Sequence, residues 1–181
     1  MMKKYIISLS LVFILFACSQ QKVVENAMID TAAIPTELNK NIPDSTNNFI
    51  QRDSLLIEWD NHLLDITNSD LNFNSEKKPE LNKYVPGQID TIEHLTFKES
   101  NFWVYHTIDK NILMSSDIRN SEIPLSKEIK VGVSRSELLK ALNTESNSDT
   151  ITVADLEGNT NVTLILKNNI LSRIIYCAYV E

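Results

Sequence analysis

The chain has 181 residues, with 24 acidic against 17 basic side chains and a formal net charge of −7. That length suits one ordinary domain with extensions. The acidic balance disfavours nucleic acid and anionic lipid headgroups as partners. Three glycines in the whole sequence leave no glycine-rich phosphate cradle, and there is no nucleophile elbow, CxxC or HExxH motif. The sequence therefore assigns no catalytic residue, no metal and no cofactor.

In chain order, Lys3 and Lys4 precede an apolar run from Tyr5 to Ala17 that is too short to cross a bilayer as a permanent helix. This is the layout of a signal peptide over residues 1–17. The run closes on Leu15-Phe16-Ala17-Cys18, which resembles the lipobox of bacterial lipoproteins. The resemblance implies cleavage before Cys18 and acyl chains on its thiol, with each buried methylene contributing about 0.8 kcal/mol to membrane anchoring. Cleavage removes Lys3 and Lys4 and leaves about 164 residues with a net charge of about −9, so lipid and not charge has to anchor the protein. Ser19 stands where the inner-membrane retention signal would be aspartate, and by the same resemblance the expected destination is the outer membrane. Cys177 then has no second cysteine to bridge to, and the fold has to rest on its core.

Residues 18–48 are polar, with Pro35, Pro43 and Asp44-Ser45-Thr46-Asn47-Asn48 and no sustained apolar period. They offer too little apolar surface to offset the entropy of ordering, and a flexible tether is expected.

Residues 49–181 are expected to form a single domain in which a pattern occurs twice, over about 49–120 and about 129–181. Arg52-Asp53-Ser54-Leu55-Leu56 matches Arg135-Ser136-Glu137-Leu138-Leu139, Asp90-Thr91-Ile92 matches Asp149-Thr150-Ile151, and Lys110-Asn111-Ile112-Leu113 matches Asn168-Asn169-Ile170-Leu171, all in the same order. Three matches in register point to a duplicated unit. The first half carries a longer segment around Pro79, Pro86 and Gly87. Leu55, Leu56, Trp59, Leu63 and Ile66 fall at helical spacings and form one apolar stripe. Ser134-Arg135-Ser136-Glu137 is a capping box ahead of a helix of about ten residues. Six stretches rich in β-branched and aromatic residues follow in two groups of three: 91–97, 102–108 and 112–118, then 150–156, 161–167 and 170–179. Asn168-Asn169 suits a two-residue hairpin and Glu157-Gly158-Asn159 a slightly longer one. The expected fold class is α+β: two tandem helix-plus-β-meander repeats forming a largely antiparallel sheet of six to eight strands, with the helices on one face.

The stretch Ile129-Lys130-Val131-Gly132-Val133-Ser134-Arg135-Ser136-Glu137-Leu138-Leu139 resembles a segment of the SmpA/OmlA (BamE-like) outer-membrane lipoproteins, and the tandem layout is similar to the β-lactamase-inhibitor-protein fold. The local likeness covers about eleven residues and departs after the helix, where Leu142-Asn143-Thr144-Glu145 replaces Leu-Gly-x-Pro. The resemblance implies a protein-binding platform, which is guidance about fold more than about partner.

Strand 102–108 carries large apolar groups on both faces. If Phe102 and Val104 turn to the core, Trp103 and Tyr105 form an exposed aromatic patch suited to anchoring a partner, unless the tether or the 68–89 segment covers it. Cys177 is expected as an apolar filler and His62 as a structural residue beside the helix stripe. His94 and His106 lie on strands that should pair. A two- or four-residue connection puts them on opposite faces, whereas a three-residue turn would set them across from one another, with Glu93 or Asp109 near enough for a weak zinc site. Two functions follow: a lipid-anchored, non-catalytic envelope module that binds a protein partner at Trp103 and Tyr105, or a small envelope hydrolase or metal-binding protein using His94 and His106.

Overall fold

A computed structural model describes residues 48–179. The signal peptide, the acylation of Cys18 and the tether up to Asn47 lie outside these residues. The described chain is a mixed α/β protein built on one eight-stranded sheet and two helices. In chain order the elements are β1 (Phe49–Gln51), α1 (Asp53–Thr67), β2 (Asn74–Leu81), β3 (Ile89–Phe97), β4 (Ser100–His106), β5 (Asn111–Ile118), α2 (Arg135–Ala141), β6 (Thr150–Ala154), β7 (Thr160–Lys167) and β8 (Ile170–Ala178). The strands lie side by side in the order β1-β6-β7-β8-β5-β4-β3-β2. Every neighbouring pair is antiparallel except β1 with β6.

The six strands expected from alternation are β3 to β8. Their turns follow from local chemistry. Asn168 and Asn169 both hold positive φ (54° and 61°) and close the β7–β8 hairpin, as a two-residue turn between right-twisted strands requires. Strands β1 and β2 are additional. Strand β2 occupies part of the long segment of the first half, and it extends the sheet by one edge strand. Its sequence Asn-Ser-Glu-Lys-Lys-Pro-Glu-Leu is exposed at nearly every position.

Helix α1 buries Leu56, Trp59 and Leu63, spaced three and four apart, while Leu55 and Ile66 pack partly buried beside them. Helix α2 begins at the expected capping box: the Ser134 hydroxyl accepts from the Glu137 amide, and the Glu137 carboxylate accepts from the Ser134 amide. It is shorter than expected, seven residues. Asn143 turns to positive φ (47°) just past the end, and the amides of Asn143 and Thr144 close back onto the carbonyls of Lys140 and Leu139.

Pairing fixes two faces of the sheet. One face carries Phe102, Val104, Ile118, Ile151, Val153, Val162, Leu164, Ile174 and Tyr176, all buried in one cluster with Leu56, Trp59, Leu63, Leu138 and Leu142. The irregular 119–134 connection adds Ile123, Leu125 and Ile129 to that core. The second face carries Asp90, Ile92, His94, Trp103, Tyr105, Asp117, Arg173, Ile175 and Cys177. No described helix is long and apolar enough to cross a membrane.

Candidate functional site

Phe102 and Val104 are buried in the core, so alternation turns Trp103 and Tyr105 to the second face, where both are half-buried. Trp103 lies directly across from His94 on β3, and the two rings stack flat, with centroids 4.8 Å apart and planes 8° from parallel. His94 is itself held by a 3.0 Å contact between Nε2 and the Asn101 carboxamide oxygen. One side of the indole is thereby covered and its orientation fixed. Ser115 pairs with Trp103 on the other flank, so the indole lies between a histidine ring and a small hydroxyl residue.

Tyr105 has a different role. Its hydroxyl donates to Asp90 Oδ2 at 2.6 Å, and the same buried carboxylate accepts from Asn82 Nδ2 at 2.6 Å and Gln88 Nε2 at 2.7 Å. The Tyr105 bond, with Gln88 and Asn82 behind it, holds the Asp90 carboxyl below the usual range even though burial opposes ionisation. The phenol is pushed up to about 12, because it donates to Asp90 and is partly desolvated. The sequence had presented Asp90 only as a repeat marker. Its importance comes from a diagonal contact between strands that spacing along the chain does not reveal.

The β3–β4 connection is the two-residue turn Lys98-Glu99, with Phe97 paired to Ser100. His94 and His106 therefore lie on opposite faces and share no ligand. His106 Nε2 is 2.7 Å from Glu93 Oε2, and its Nδ1 is 2.7 Å from Asn111 Oδ1. Glu93 also accepts from Ser75 and lies 3.4 Å from Lys77 Nζ. Burial raises the Glu93 carboxyl, and the bonds from Ser75 and His106 with the charge of Lys77 outweigh it, leaving the group below its ordinary range. Asp109 sits in the 107–110 turn, where its amide donates to Thr107 Oγ1. Among the described residues no three His, Cys, Asp or Glu side chains are placed to hold a metal ion.

Where the two groups of strands meet, Arg173 grips Asp117 with two bonds of 2.7 and 2.9 Å, and Arg119 joins from the other side at 2.8 Å. Burial raises the Asp117 carboxyl, and the two guanidinium groups more than reverse that, so it is held below the usual carboxylate range. Cys177 is half-buried on the same face, paired in register with Ser115 and Asn161. On α1, His62 is also half-buried, and its Nε2 has no hydrogen-bond partner. A cavity of about 380 Å³ opens between α1 and the turn before β7, lined by Asp53, Asp60, Asp155, Glu157, Tyr176 and their neighbours. Its polar lining is mainly carboxylate, from Asp53, Asp60, Asp155 and Glu157, with the hydroxyls of Thr160 and Tyr176, and Tyr176 donates to Asp60 at 2.6 Å. No protein-family model, curated protein or solved structure matches the chain.

Proposed function

We propose that the chain is a lipid-anchored cell-envelope protein, acylated on Cys18, whose domain is a non-catalytic module that binds a protein partner through the second face of the sheet at Trp103. The observation that carries this reading is the half-buried indole held flat by His94 on the face turned away from the core. A large ring already fixed in one orientation loses little freedom when a partner covers it, which is what binding anchors require. Tyr105 contributes mainly by holding Asp90, so Trp103 is the anchor and Tyr105 its support.

The fold reading belongs with this proposal. Two units, α1 with the β2–β5 meander and α2 with the β6–β8 meander, are joined through the β5–β8 pair, the first longer by the edge strand β2, and both helices lie against the core face. Support comes from the strand order, from the three matching sequence signatures, and from the burial of Leu56, Trp59, Leu63, Leu138 and Leu142 in one cluster. The second face is then left for a partner. The lipobox, with Ser19 after the cysteine, favours the outer membrane as the site of action. Opposite placement of His94 and His106 gives the metal or hydrolase alternative no supporting geometry.

A photo-crosslinking residue at Ser115, which pairs with Trp103 on the same face, tests the proposal with the protein in its native envelope. A discrete adduct is expected, and Trp103→Ala should abolish it while the circular dichroism spectrum stays unchanged. An undiminished adduct in a folded Trp103→Ala variant would exclude this face.

A further inference from the structure

Ile92, Trp103, Ile112, Ile175 and Ile165 stand one on each of five adjacent strands, β3, β4, β5, β8 and β7, and pairing turns all of them to the second face. All five are half-buried. None joins the core cluster, which draws its side chains from the opposite face, from α1 and α2 and from the 119–134 connection. Single apolar residues on a surface need no explanation, but a band of large ones left half in water across five strands marks a contact surface.

The groups around this band decide what fits it. Ser115, Thr150, Thr152, Asn161 and Thr163 share the face, and each hydroxyl or carboxamide both donates and accepts hydrogen bonds. Such a surface is complementary to itself. Its central charges are consumed internally: Asp117 is held by Arg173 and Arg119, and Asp90 by Tyr105, Gln88 and Asn82. The other ionised groups lie at the rim, Glu76, Lys78 and Glu80 on the edge strand β2 and Lys167 at the end of the β7–β8 hairpin. Four acids and four bases thus cancel on this face, in a chain whose net charge is −7. Copies of so acidic a chain repel one another over much of their surface, and here that repulsion is absent.

The size of the face matches as well. Six of the eight strands run for seven to nine residues. With strands about 4.8 Å apart and about 3.3 Å per residue, the second face covers roughly 900 Å². A stable pairing takes about 800 Å² from each partner. Two such sheets pack about 10 Å apart with their strands about 30° from aligned. We propose that the second face meets the same face of a second copy of this chain, forming a twofold dimer that covers both Trp103 rings and encloses the apolar band. A contact that uses one patch twice closes at two copies. This inference rests on the second face being a partner site, and it names the partner.

The test co-expresses two full-length forms with different tags, one of them carrying the photo-crosslinking residue at Ser115, and irradiates intact cells. An adduct of twice the chain mass that carries both tags is expected. Thr163→Arg, on β7 and away from Trp103, puts a charge into the contact and should lower that adduct about tenfold. Thr152→Arg on β6 is a second variant of the same kind, and circular dichroism shows which of the two keeps the fold. The proposal is overturned if the adduct joins the chain to a different protein, if Ser115 links to residues 19–47 of its own chain, if no adduct forms, or if a folded variant links as strongly as the parent. An adduct with a different protein that Trp103→Ala removes sinks the dimer and leaves the Trp103 site standing. A two-tag adduct that a folded Trp103→Ala variant retains does the reverse.

Discussion

At the scale of single residues, polar bonds between strands set the ionisation of carboxylates on both sides of the sheet, Asp90 and Asp117 on the second face and Glu93 on the other. Asp90, Glu93 and Asp117 are all held below their ordinary ranges in the folded protein. A carboxylate stabilised in this way contributes above its unfolded value and loses that contribution as pH falls through the folded one. Stability is therefore expected to drop on acidification below about pH 4, and Asp117→Asn should flatten that drop in denaturant titrations at decreasing pH. The opposite limb belongs to Tyr105, whose phenol ionises near 12 instead of about 10. Its contribution is complete below the unfolded value and disappears as pH rises through the folded one. Ultraviolet titration should show one tyrosinate absorbance step near pH 12 that vanishes in Tyr105→Phe. Tyr176 is raised further still, by burial and by its 2.6 Å bond to Asp60. Purified protein is expected to carry no stoichiometric zinc, measured by emission spectrometry; one equivalent lost in His94→Ala would reopen the metal reading.

At the scale of elements, the turns and caps have individual worth. Asn168 at positive φ tolerates asparagine or glycine, and Asn168→Val is expected to cost roughly 1–2 kcal/mol in equilibrium unfolding. Removing the helix cap with Ser134→Ala should cost about 1 kcal/mol. Phe102→Ala empties a position that has no exposure, and a loss of roughly 3–5 kcal/mol is expected. The same elements show why part of the fold was legible in the sequence. Leu56, Trp59 and Leu63 report a helix because one face is buried. The strands flanking Asn168-Asn169 report themselves because alternation and turn chemistry agree. Strand β2 has neither signal, since both its faces are wet and Pro79 interrupts it. Strand β1 is three residues long and is defined by pairing with β6, a contact with residues about a hundred positions away. For the site, alternation identified the face of Trp103. The His94 stack and the Asp90–Tyr105 bond depend on the β3–β4 register, which the sequence left open among turns of two, three and four residues.

At the scale of the whole molecule, one sheet separates two roles: the core face supplies stability, and the second face holds the Trp103 ring that we propose as a partner anchor. Mass analysis of the native protein is expected to show cleavage before Cys18 with acyl chains attached; an intact Met1 would remove the envelope placement.

Copies of any concentrated protein meet edge to edge. The β2 edge determines what those encounters can become. A long bare strand would let one copy continue the hydrogen-bond ladder of the next and seed a fibre. Pro79 leaves a gap in that ladder, and Glu76, Lys77, Lys78 and Glu80 put charge on both sides of it. The outermost strand therefore acts as a stop to sheet growth, so crowding of copies does not extend the ladder from one molecule into the next across this edge.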